Sequence, residues 1–107
     1  MSDTPLDPTR MIAVVGIAGR FPPNLDVDGF WQLLCSGGEA IRPVPADRWD
    51  ANAQLDPELT VQNVGGFLDD VASFDAGFFG VSPREAEDVD PQQRLMLEVT
   101  WRALEDA

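Results

Sequence analysis

The sequence contains no histidine, no lysine and no tyrosine. Each absence removes a class of chemistry. Without histidine there is no imidazole to serve as general base or metal ligand, and without lysine no amine can form a Schiff base. Cys35 is the only thiol, so neither an internal disulfide nor a multi-cysteine metal site can form within the chain. All seven basic residues are arginine, set against 19 acidic residues, for a formal net charge of −12. That balance makes nucleic acid and anionic membranes poor partners. The acidic residues stand singly or in pairs such as Asp69-Asp70, the pattern of a solvated surface.

Long hydrophobic runs are missing too. The apolar run over 11–18 is only eight residues long, too short to span a membrane, and the leader before it is polar with Pro5 and Pro8, unlike a signal peptide. Residues 1–10 are expected to form a disordered leader, and the chain to be cytoplasmic.

What is present, 107 residues at 44% hydrophobic, suits one small domain. Ordering it costs roughly 1–2 kcal/mol per residue in backbone entropy, so each apolar segment needs a partner surface. Residues 11–18, rich in β-branched side chains and punctuated by Gly16 and Gly19, read as a strand buried on both faces. Pro22 and Pro23 then force a loop. Val27, Phe30, Trp31 and Leu34 recur at helical spacing between Asp26, a candidate N-cap, and Gly37 at the C′ position.

Residues 41–49, with two prolines, read as an extended loop anchored by burial of Trp49, and 51–64 as irregular. Gly65 to Leu68 reads as a short strand or bend, and 71–79 as a short helix with an aromatic face. Ser82-Pro83-Arg84-Glu85 is a capping-box pattern with proline at the first helical position. Asp90-Pro91-Gln92-Gln93 repeats the device and opens the longest periodic segment. Its apolar residues, among them Leu95, Met96, Leu97, Val99, Trp101 and Leu104, cover most of the girth, so this helix expects burial on several sides. Arg94, Glu98 and Arg102 line the remaining face as four-spaced opposite charges.

Four features invite a chemical reading, and each has a simpler one. Gly16 and Gly19 after a strand suggest a phosphate-binding turn, but a third glycine is missing and Arg20-Phe21-Pro22-Pro23 stands where the helix would start. Close backbone packing is the ordinary use of such glycines. Asn24, Asp26 and Asp28 match half a calcium loop whose last ligand position falls on Cys35, so helix capping explains them better. Cys35 lies near a helix C-terminus with no histidine to activate it. Glu85, Glu87, Asp88 and Asp90 flank two helix starts, where carboxylates complement the helix dipole. No residue is therefore assigned a catalytic, cofactor-binding or metal-binding role, and no cofactor is expected.

A series of short motifs carries a resemblance. Ile12-Ala-Val-Val-Gly-Ile-Ala-Gly-Arg20-Phe-Pro is followed by Phe30-Trp-Gln-Leu-Leu and by Val44-Pro-Ala-Asp-Arg-Trp-Asp50. Gly65-Gly-Phe-Leu, Phe74-Asp-Ala-Gly-Phe-Phe-Gly80, Ser82-Pro-Arg-Glu-Ala86 and Asp90-Pro-Gln-Gln-Arg94 complete it. In this order and spacing they resemble the start of the β-ketoacyl synthase (ketosynthase) domain of modular type I polyketide synthases. Gly19 departs from the pattern, since many relatives carry cysteine there, though that cysteine is not their nucleophile. The polar stretch between Asp50 and Val64 is a second departure.

The resemblance implies an α/β fold, specifically the N-terminal portion of a thiolase-like fold with one or two strands and several helices. Residues 11–107 would then be the N-terminal part of a truncated domain. The complete family enzyme is an acyltransferase that condenses an acyl thioester with a malonyl-type extender. It acts with a phosphopantetheine-bearing acyl carrier protein and as a dimer. A cysteine nucleophile and two histidines perform the chemistry, and all three lie beyond the last motif present here. The implied partners are the rest of a ketosynthase domain, its dimer partner and the carrier protein, and the chain alone is expected to be inactive and marginally folded. The alternative is a non-catalytic interaction module that docks on a ketosynthase or carrier protein.

Overall fold

A computed structural model of the chain describes residues 4–49 and 63–107. Among these residues three α-helices and one two-stranded sheet succeed one another: α1 (Val27–Cys35), β1 (Arg42–Pro43), β2 (Val64–Gly65), α2 (Pro83–Asp88) and α3 (Pro91–Asp106). A single 3-10 turn, Pro8–Arg10, precedes them, its Thr9 amide capped by the Asp7 carboxylate. Most of the region read as irregular, 51–64, lies outside the described residues.

The helices begin where local chemistry places them. Asp26 accepts the Gly29 amide at 2.8 Å and opens α1, which ends at Ser36 with Gly37 in the left-handed conformation at φ +68°. At α2, Ser82 Oγ accepts the Glu85 amide while Glu85 accepts the Ser82 amide, so both halves of the capping box form. Asp90 accepts the Gln92 amide at 2.8 Å and Pro91 occupies the first position of α3. Replacing Asp90 by alanine leaves that donor without its acceptor. The expected loss is about 1 kcal/mol of helix stability, measurable as reduced helical circular dichroism and faster amide exchange in the first turn.

The sheet is small. β1 and β2 pair antiparallel, Arg42 opposite Gly65 and Pro43 opposite Val64, and the Val44 amide extends the ladder to the Asn63 carbonyl at 2.7 Å. Pro22 and Pro23, joined by a cis peptide bond, lie in a tight loop closed by reciprocal hydrogen bonds between Phe21 and Leu25 at 2.8 Å. Phe21 stacks on Phe30 of α1 with ring centroids 4.2 Å apart, which ties this loop to the helix.

Several expectations are corrected. Residues 11–18 form no strand; among the described residues no strand pairs with them, and Ile12 and Val14 remain 94% and 81% exposed. Their neighbour is the end of α3, where the Ile17 amide donates to Asp106 Oδ2 at 2.9 Å. Residues 71–79 form turns instead of a helix. Asp70 and Asp75 capture the amides of Ser73 and Phe78 with their side chains, the local competition that makes aspartate a poor helix-interior residue. Hydrogen bonds from Ser73, its hydroxyl first and then its amide, hold the Asp70 carboxyl below its ordinary range.

The aromatic face expected there survives the loss of the helix, since Phe74 stacks on Phe79, and Phe78 meets Trp101 of α3 edge to face at 4.9 Å. Trp49 is only half-covered, its ring edge-on to Phe67 at 5.6 Å. The charged ladder along α3 does not form as read, because Arg94 turns to the Val71 carbonyl; among the described residues the ion pair is Arg42 with Asp69.

A core is barely present. Val44 is the only buried apolar residue among those described, and no helix contains a buried side chain. The helices carry apolar faces that the described chain leaves open.

Candidate functional site

The residues singled out for chemistry are dispersed. Cys35 is exposed at the last position of α1, whose final turn holds no basic residue. Asp26 is used as a cap and Asp28 sits in the first turn of the same helix. Glu85 completes the capping box of α2, Asp90 caps α3, and Glu87 and Asp88 lie between them, exposed. Among the described residues no three carboxylates or thiols converge on a point that could hold a metal. Gly16 is used for close packing against the Ala103 carbonyl of α3.

What the fold does assemble is an open apolar groove of about 720 Å³ along α3. Phe79 and Val89 form one side, and Met96, Leu97, Trp101 and Leu104 project from the helix into it. Capping fixes where α3 starts, and the 3.6-residue repeat then brings positions 97, 101 and 104 to one face. Met96 and Leu104 are about two-thirds exposed. The polar lining is Gln92, Gln93 and Thr100, with no titratable group. Such a surface can bury apolar partner atoms, but it has nothing with which to move a proton or attack a carbonyl. A smaller depression of about 230 Å³ between Arg20, Asn24, Asp26 and Arg102 is polar.

No helix among the described residues is long and apolar enough to cross a membrane. Among the described residues, helices with uncovered apolar faces beside a minimal sheet fit a portion of an α/β domain. Comparison with known proteins makes this specific. A model of the beta-ketoacyl synthase N-terminal domain matches residues 9–107, and the chain belongs to that family.

It is 50% identical over 109 residues to a phenolphthiocerol/phthiocerol polyketide synthase of Mycobacterium tuberculosis, an alignment covering 96% of this chain and 6% of that protein. It is 50% identical over 101 residues to the polyketide synthase PksN of Bacillus subtilis, covering 90% of this chain and 2% of that protein. Among solved structures it superposes on the oxazolomycin ketosynthase domain OzmH KS7 of Streptomyces albus with a TM-score of 0.77 at 43% identity, covering 88% of this chain and 17% of that one. The ketosynthase from module 6 of the bacillaene synthase of Bacillus subtilis gives 0.77 at 41% identity, covering 89% and 16%.

The fold is therefore the N-terminal portion of the thiolase-like ketosynthase fold, and the chain spans only a small part of the relatives it matches.

Proposed function

We propose that this chain is a structural part of a polyketide-synthase ketosynthase and has no condensing activity by itself. The observation that carries this reading is the combination of a family match over 9–107 with an apolar groove on α3 that has no titratable lining. In the complete domain the reaction is a decarboxylative Claisen condensation. A cysteine thiolate takes the acyl group from its thioester, loss of carbon dioxide from the malonyl-type extender leaves an enolate, and the enolate carbon attacks the enzyme-bound thioester. Two histidines assist decarboxylation and stabilise the developing charge. This chain, with no histidine, supplies none of these groups, and Cys35 stands alone.

Its contribution is to cover and position the remainder of the domain, and through it to reach the dimer partner and the acyl carrier protein whose phosphopantetheine arm carries the extender. Producing the chain together with a ketosynthase that lacks its own first hundred or so residues tests this. Co-purification and restored condensation are expected. Failure of the two pieces to associate under conditions where each is soluble would discard the proposal.

A second reading draws on Trp31, 66% exposed on α1 and outside the α3 groove lining. It makes the chain an interaction module that docks on an intact ketosynthase or on a carrier protein. Binding to a ketosynthase that retains its own N-terminal segment separates this reading from the first.

A further inference from the structure

The segment 67–71 belongs to no helix or strand, yet each of its five consecutive carbonyls accepts a hydrogen bond from an arginine. Arg42 donates to the Phe67 carbonyl at 3.0 Å and also pairs with the Asp69 carboxylate. Arg48 donates to the Leu68 carbonyl. Arg20 spans the carbonyls of Asp69 and Asp70, the latter at 2.9 Å, and Arg94 reaches the Val71 carbonyl at 3.2 Å. Backbone carbonyls outside a ladder need partners, and here cationic donors supply all of them.

The four arginines come from four places in the chain. Arg20 follows the run over 11–18, Arg42 is in β1, Arg48 follows β1 in the loop before Trp49, and Arg94 is in the first turn of α3. The Nε atoms of Arg42, Arg48 and Arg94 are buried against the protein without a hydrogen-bond partner of their own, while the outer nitrogens of the same guanidiniums are bonded to the segment. Within it Asp70 adopts φ +45°, a conformation uncommon for a residue with a Cβ and sustained where surrounding contacts fix the backbone. The Asp69 amide completes the arrangement by donating to the Pro23 carbonyl at 2.7 Å.

We propose that 67–71 is an arginine-clamped anchor, a conformational device that fixes α3 and its groove relative to β1 and the proline loop where the described residues form almost no hydrophobic core. The planar fork of arginine suits this task, since one guanidinium can span adjacent carbonyls, whereas a lysine ammonium acts as a point charge on a flexible stem. The proposal goes beyond the family reading and does not rest on it.

Amide exchange of the whole 107-residue chain, followed by NMR, tests it at Asp69. Arg48→Lys and the double variant Arg48→Lys/Arg94→Lys keep the charge and remove the guanidinium bond that each makes to the segment, to the Leu68 and the Val71 carbonyl. Each lost bond is expected to speed exchange at Asp69 about fivefold, while amides within α1 keep their rates and the control Arg84→Lys changes nothing. An unprotected Asp69 amide in the unaltered chain would overturn the proposal. So would unchanged exchange in the double variant, or an equal acceleration throughout α1.

Discussion

Given an acyl thioester and a malonyl-type extender on its carrier, the 107-residue chain is expected to give no condensation above the uncatalysed background. Condensing chemistry requires a nucleophile activated by a neighbouring base and charge stabilisation at the developing enolate, and enzymes owe accelerations of roughly 10⁶-fold or more to such arrangements. The one thiol, Cys35, stands exposed at the C-terminal end of α1 and no histidine exists in the chain to partner it. The groove on α3 cannot substitute, having only Gln92, Gln93 and Thr100 as polar lining. The measurement is product formation by mass spectrometry with the chain alone, and a Cys35→Ser variant should match it within error. Turnover that depends on Cys35 would show that the chain carries its own catalytic centre and would sink the structural-part reading. Supplying the remainder of a ketosynthase domain should raise the signal from nothing to a measurable rate, an effect larger than any single substitution considered above.

The parts of the fold legible in the sequence are those governed by near neighbours. Asp26, Ser82 and Asp90 each cap a helix through an amide three residues or fewer away, so their roles could be read from order alone, and α1, α2 and α3 begin where expected. Sequence and structure part where the deciding contact is distant or where a side chain competes with the backbone. The apolar pattern over 11–18 signals a segment that wants burial on both faces, but a strand also needs a neighbouring strand, and no residue within the run tells whether one is near. At 71–79 the apolar spacing favoured a helix while Asp70 and Asp75 favoured turns, and the side-chain bonds prevailed.

The arginine anchor was illegible because its bonds join residues 20 to 50 positions apart. One compositional trace of it exists: the chain carries its whole positive charge on arginine, and four of those seven side chains serve this one segment. For the site, the absence of histidine already withheld an activated nucleophile from the chain, and the apolar girth of α3 already showed that the helix would need covering. That Phe79 and Val89 would wall the groove was not legible, because neither belongs to the helix whose face they extend.

Gly16 offers the sharpest test of how the run over 11–18 meets the rest of the chain. A Cβ at this position would lie 2.5 Å from the Ala103 carbonyl oxygen and 2.9 Å from the Ala107 amide nitrogen, the two atoms that make the last hydrogen bond of α3. Both are backbone atoms, so no rotamer change relieves the clash; the run must move off the helix or the end of α3 must unwind. Gly16→Ala is expected to cost about 1–3 kcal/mol, the range for forcing an extra carbon into a close contact. The bond from the Ile17 amide to Asp106 should break with it, raising Ile17 exchange roughly tenfold or more. Gly77→Ala is the matched control, because a Cβ there would find only the Asp75 carboxylate at 3.8 Å, an ordinary contact. Gly37→Ala should also destabilise, but through its φ of +68° and not through crowding, since nothing lies within 4 Å. In reconstitution with the remainder of a ketosynthase domain, Gly16→Ala should lower recovered activity roughly tenfold or more, the factor that about 1.4 kcal/mol of lost association would give, while Gly77→Ala matches the unaltered chain. If Gly16→Ala instead keeps the Ile17 amide protected, the close approach of this run to α3 is not a feature of the protein in solution, and its affinity lies with another surface.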